Sequence, residues 1–224
     1  TPLRLALVTH TRQEFLFGAP AFQAARVPVH MHPAAARLMV SRCERCLKTL
    51  QQTLGAQAMQ GTAMFKPDGL LQDITTQEVT VIGRPLQVLH FGHSSGPGDV
   101  AVWDPVHRVL FAGGLVDVQR IPDIQDSMLP AWLQALDALR ALEPAIVVPG
   151  HGPTAGVEAI TEQKRYLEQL HARVQELLKS GASLLDVPTL AELPAFAHWD
   201  EYDTIHRRNA SVLFVRLERE WLFK

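Results

Sequence analysis

The feature that most constrains this chain is an apolar run that stops abruptly at a polar pair. Leu3-Arg4-Leu5-Ala6-Leu7-Val8 is aliphatic and reads as a buried strand ending at Thr9-His10. A short polar loop follows, and Glu14 opens an apolar helical pattern through Phe15, Phe17, Ala19 and Phe22. The remaining elements must pack around this strand, loop and helix.

Downstream, Arg26 to His30 reads as a second short strand, and a long helix is expected from about Pro33 to Leu54. Residues Ile74 to Val81 and Pro85 to Phe91 straddle Gly83-Arg84 as a hairpin. A clearer hairpin joins Val100–Trp103 to Val109–Ala112 through Asp104-Pro105-Val106-His107, where proline fixes φ and aspartate bonds the local backbone. An amphipathic helix over Pro130 to Leu142 leads into a buried strand, Ala145 to Val148, that ends at Pro149-Gly150-His151-Gly152. A helix from Gly156 to Lys179 with Gly181 as its cap, and a last one from Asp200 to Trp221, complete the pattern. Strand groups each followed by helices fit an α/β sandwich of sheets covered by helices.

The 224 residues, 47% apolar and 20% charged, suffice for a two-layer core, and no linker forces a split. One domain is therefore expected over 1–224, with a helical extension at about 183–224. A net charge of −2 offers neither a basic footprint for nucleic acid nor a polybasic membrane patch, and no apolar run is long enough to span a bilayer. Two cysteines exclude a disulfide-dense scaffold.

Four pieces resemble the metallo-β-lactamase superfamily: the Thr9-His10 loop, Gly98-Asp99-Val100, Leu110-Phe111-Ala112-Gly113-Gly114 with Leu115-Val116, and Val148-Pro149-Gly150-His151-Gly152. Within it the chain is most similar to the quinoprotein relay system zinc metallohydrolases, a group its tail His206-Arg207-Arg208-Asn209 also resembles. The resemblance implies an αββα sandwich, a periplasmic setting, and one or two zinc ions activating water at the strand ends. Relatives carry several strands before the Thr-His loop. Those N-terminal strands are expected to be partly missing here, through loss of a segment or, as a second choice, with an edge-paired homodimer covering the edge.

Carried over residue by residue, the resemblance retains His10 and His151 as metal ligands. Arg12 stands in the place of the second histidine, Glu14 in that of an aspartate, and Phe15 in that of the adjacent histidine. Counting back from Asp99, the next histidine falls on Ser95, with His93 two residues away, and Gly114 takes the place of the bridging aspartate. A guanidinium has no lone pair to give a metal, and Arg12 paired with Glu14 or Asp99 would neutralise the cleft without one.

The leading expectation is thus a non-hydrolytic member with no cofactor that binds a small-molecule ligand or protein partner in the old cleft. The competing one is an ester or thioester hydrolase with a single zinc on His10, His93 and His151 and with Glu14 or Asp99 as base. A purely structural subunit is the third. Asp99 is otherwise expected to tie loop amides. Asp117 and Arg120 are expected near the pocket mouth, holding an anion or forming a surface ion pair. Trp199, Tyr202 and His206 either cap the cleft or pack. Ser94 and Ser95 lack an identifiable base to make either a nucleophile.

Cys43 and Cys46 share a helix face, and His30 and His32 share a strand face. Three readings stand for this set: buried core thiols, a disulfide or redox pair, and a second metal site.

Overall fold

The apolar run before Thr9 forms strand β1 (Ala6–Val8) in a computed structural model that describes residues 2–72, 74–80 and 83–223. Only its second half pairs, in parallel with β2 (Val29–Met31), which pairs in turn with β3 (Gly69–Leu70). β2 starts later than the sequence suggests because Arg26 turns the chain at φ 60° and Pro28 follows. A second, five-stranded sheet runs in the order β4 (Thr76–Val79), β5 (Leu86–His90), β6 (Val100–Asp104), β7 (Val109–Gly113), β8 (Ile146–Pro149). Both expected hairpins are present as antiparallel pairs, although Val81, the expected end of the first strand, lies outside the described residues. In the β6–β7 turn, Asp104 Oδ1 accepts from the amides of Val106 and His107.

Where one helix is expected after Thr9-His10, two short ones form, α1 (Gln13–Leu16) and α2 (Ala19–Ala24). Gly18 and the missing N–H of Pro20 separate them. Helix α3 (Pro33–Ala58) is regular until Gly55, whose φ of 84° and ψ of 162° are non-helical. Helices α4 (Leu129–Ala141) and α5 (Glu158–Lys179) stand as expected, and Gly181 closes α5 at φ 78°. The last helix begins late: a π-helical turn over Tyr202–His206 precedes α7 (Arg207–Leu222). The sequence reading also missed β3, the short α6 (Val187–Leu190) and a 3-10 turn at Pro194–Phe196.

Three apolar layers hold these elements as an αββα sandwich. Val8, Val29 and Met31 pack against Leu16, Met39 and Cys43 on one outer side. Leu7 meets Leu71, Val88, Val100 and Val102 between the sheets. Leu110 and Val147 pack under Trp132, Leu136, Tyr166, Leu170 and Phe214 on the other outer side. The sheets are also tied at one end, where the Val100 amide donates to the Thr9 carbonyl at 2.9 Å. At that same end the loops after β7 and β8 are zipped, Gly150 N to Val116 O and Val118 N to His151 O, each 2.9 Å.

Gly152 is needed for this zipping. It sits at φ 96°, and a Cβ there would come 2.1 Å from the Val118 carbonyl oxygen. Gly181, at φ 78°, faces open space. Gly152→Ala is therefore expected to lose roughly 3 kcal/mol or more in urea unfolding, through backbone strain plus a backbone clash. Gly181→Ala should lose only about 1 kcal/mol, the strain alone. Equal losses would mean that the contact between the two loops contributes nothing.

Candidate functional site

The ends of β1, β6, β7 and β8 meet around a cavity of about 30 Å³ lined by His10, Arg12, Ser95, Asp99, Gly114, Asp117, Asp123, Asp126 and His151, among others. His10 follows β1 directly and lies over Gly114, where an added Cβ would touch the ring at 2.8 Å. Its Nδ1 is 2.9 Å from the Thr9 hydroxyl, and its Nε2 has no hydrogen-bond partner among the described residues. Burial, then the positive charge of Arg12 and of His151, lowers its pKa to about 3, so the ring is neutral. The Phe15 ring covers His10 at 4.4 Å between centroids and His151 at 5.4 Å.

His151 is held from both sides. Its Nδ1 lies 2.8 Å from Asp117 Oδ1 and its Nε2 2.8 Å from Glu14 Oε1. Those two hydrogen bonds raise its pKa to about 9, and the bond to His151 leads the causes that lower Glu14 to about 2. The group is an imidazolium between two carboxylates, with both ring nitrogens engaged.

Arg12 does not pair with Glu14 or Asp99, as the sequence suggested. Its guanidinium donates to Asp123 Oδ2 at 2.7 Å and to the Asp123 carbonyl at 3.2 Å. Burial alone would lower the Arg12 pKa, but the Asp123 carboxylate reverses this and raises it. Asp123 also accepts from Arg208 of α7 at 2.5 Å. Neighbouring Asn209 accepts from the Ile124 amide and donates to the Pro122 carbonyl, so α7 fixes the segment that carries Asp123.

Asp99 accepts the Ser95 hydroxyl at 2.8 Å rather than tying loop amides, and burial raises its pKa to about 6. His93 does not line the cavity. It is exposed, and its Nε2 donates to the Asp126 carbonyl at 2.6 Å, so no bulge brings it to the position that Ser95 holds. Arg120 forms the surface ion pair, to Asp200 at 2.8 Å and Glu201 at 3.5 Å. Trp199 and His206 are packed among Tyr166, Phe196 and Tyr202 and do not cap the cavity.

The set of Cys43, Cys46, His30 and His32 is not brought together. His32 leaves the strand face to cap α3 and stacks on His90 at 3.9 Å, while the His30 ring lies over Gly69. Cys43 is buried beside Met39 and Leu16, and burial raises its thiol to about 11; both cysteines are free thiols. Among the described residues no three His, Cys, Asp or Glu side chains are grouped so as to hold a metal ion.

The sequence reading missed the roles of Asp123, Asp126 and Arg208. The pattern Asp117, Asp123, Asp126, three carboxylates in one loop after β7, was the available signal.

Residues 16–151 match the model of the metallo-beta-lactamase superfamily. Among curated proteins, the chain is 33% identical over 96 residues to a metallo-beta-lactamase type 2 from Bacteroides fragilis, covering 41% of this chain and 39% of that protein. It is 27% identical over 133 residues to a linear primary-alkylsulfatase from a Pseudomonas species, covering 55% of this chain and 24% of that protein. The chain thus spans well under half the length of either. Among solved structures, a metallo-beta-lactamase from Pontibacter korlensis superposes with a TM-score of 0.60 at 22% identity, over 75% of this chain and 70% of that one. One from Hirschia baltica gives 0.56 at 22% identity, over 75% and 68%.

The clamp on His151 has a pH signature. Its folded pKa of about 9 lies above the ordinary 6.5, so the stabilisation is fully present below pH 6.5 and is lost as pH rises through about 9. An NMR titration of the imidazole should give that midpoint, and Asp117→Asn should move it toward the ordinary value. A wild-type midpoint near 6.5 would show that the two carboxylates do not hold the ring.

Proposed function

The chain belongs to the metallo-β-lactamase superfamily, and from that premise we propose that it is a non-hydrolytic member whose own cations stand where the family places metal charge. The cleft then serves to bind a small-molecule ligand or a protein partner. One observation carries this reading: the guanidinium of Arg12 and the imidazolium of His151 sit at two of the ligand positions and are each neutralised by buried or half-buried carboxylates.

The donor set supports it. Zinc takes neutral imidazoles, thiolates or carboxylates with a free lone pair, and here the Glu14, Asp117 and Asp123 carboxylates are already paired with His151 and Arg12. Arg12 has no lone pair, Phe15 and Gly114 have no donor, and both nitrogens of His151 are already engaged. Charge acts in the same direction. Two unit charges about 4 Å apart repel by about 4 kcal/mol at an effective dielectric near 20, and a dication doubles that. The residues present therefore do not fit the family's pair of zinc ions.

A second reading is favoured by one atom. His10 Nε2 is buried, without a partner among the described residues, on a ring kept neutral, which is the form in which imidazole ligates. A mononuclear hydrolase of esters or thioesters would use it together with His151, with Glu14 or Asp99 as base. That requires His151 to release Glu14 and His93 to leave Asp126.

Metal analysis of protein purified without chelator separates the two. The proposal expects zinc well below one per chain and a Tm unchanged by EDTA or by added zinc. About one zinc per chain, lost in His10→Ala, would establish the second reading instead. A bound metal would stabilise the fold by about 2.7 kcal/mol at a hundred times its Kd, so the shift in Tm is large enough to read.

A further inference from the structure

A recess of about 760 Å³ lies between α4 and the open end of the β4–β5 hairpin. Small-molecule pockets span roughly 300–1,000 Å³, so it is of ligand size. It shares no lining residue with the charged cavity of about 30 Å³. Helix α4 presents two adjacent faces. Trp132, Leu136 and Leu139 are buried in the core, whereas residues 131, 134, 135, 138 and 142 recur at helical spacing and line the recess. Three of those five are alanines, so the helix stands beside the hairpin without filling the space between them. The hairpin side contributes Ile74, Leu89 and Phe91.

The lining decides what can enter. Among the described residues it contains no Asp, Glu, Lys or Arg, in a chain that is 20% charged. Its polar side chains are those of Thr75, Thr76, Gln134 and His90, and the His90 ring is stacked on His32. A charged group placed there would lose hydration and meet no opposite charge. The recess is long, since the helix from Ala131 to Leu142 spans about 16 Å. Its apolar floor is also set back from the surface. Leu89 is 7% and Ala135 2% exposed, and among the described residues Ile74 is the only exposed large apolar side chain in the lining. A stable protein interface takes about 800 Å² from each partner, much of it at the surface, which this narrow floor does not offer. A thin chain reaches it.

We propose that this recess binds the saturated hydrocarbon chain of a single-chain lipid with an uncharged head, such as a fatty alcohol or its ester. The chain lies along α4 over Leu89, where the alanines leave room for it. Thr75, Thr76 and Gln134 offer hydroxyl and amide groups to a neutral head, and no Lys or Arg in the described lining offers a counter-ion to an anionic one. The inference is independent of whether the cleft holds metal.

The test is a fluorescence titration of the full chain with N-phenyl-1-naphthylamine, followed by its displacement with straight-chain primary alcohols. One probe should bind per chain, and each added methylene should tighten the competing alcohol about fourfold until the recess is filled. Decanoate at pH 8 should compete about tenfold more weakly than 1-decanol, because its charge finds no partner. Ala138→Glu alters an exposed helix position in the lining and should weaken 1-decanol about tenfold at an unchanged Tm. Val40→Glu makes the same charge change at a position 72% exposed and outside the recess, and should leave binding as it is. Gln134→Trp, which fills the space from another exposed position, is the second variant should Ala138→Glu fail to fold. No displacement, no dependence on chain length, or equal losses in Ala138→Glu and Val40→Glu would overturn the proposal. So would tighter binding of decanoate, or a dimer in sedimentation that Ala138→Glu dissociates, since the recess would then be an anion site or an interface between copies.

Discussion

Asp123 is the group on which the arrangement of the site depends. Its carboxylate accepts from Arg12 in the loop after β1, from Arg208 at the start of α7, and from the Gln125 amide of its own segment. Three parts of the chain therefore converge on one buried anion. A buried carboxylate is costly unless its lone pairs are taken, and here cations from two directions and a local N–H take them. Burial alone would raise its pKa, but the charge and hydrogen bonds of Arg12 bring it below the usual carboxylate value. Removal of either arginine would leave the other to compensate a mostly buried charge.

The same principle organises the other half of the cleft. Asp117 and Glu14 bracket His151, and the loops that carry Asp117 and His151 are themselves zipped by backbone hydrogen bonds. Asp126 adds a third contact through its carbonyl to His93 and through its carboxylate to Arg42 of α3. One loop thus supplies three aspartates to cations from separate elements, and α7 holds that loop through Asn209 and through Arg216, which donates to the Gln125 and Ser127 carbonyls. The C-terminal helix is in this way part of the site's support, although none of its residues lines the cavity.

Much of the fold was legible because it is local. The β6–β7 turn follows from Asp104 and Pro105, and the C-terminal end of α5 from Gly181. The strand before Pro149 follows from an unbroken apolar run. Misreadings came where local chemistry was overridden. Phe15, Phe17 and Phe22 carry helical spacing, yet Gly18 and Pro20 divide the segment. His32 shares a period-2 face with His30 but is taken as the cap of a long helix whose first residue is Pro33. The π-helical turn before α7 leaves no periodic trace in so short a segment.

By itself the sequence determined the strand ends, the loops that follow them and the residue types those loops present: His10 and His151 retained, with Arg12, Phe15 and Gly114 where the resemblance implies metal donors. These depend on local pattern and on what a side chain can donate. Only the tertiary structure decided which charge meets which. Arg12 finds Asp123 across 111 residues, Glu14 finds His151 across 137, and Arg208 finds Asp123 across 85. A charged side chain in a sequence is compatible with any opposite charge. Its partner is fixed only when two sheets pack and bring particular strand ends within hydrogen-bonding distance.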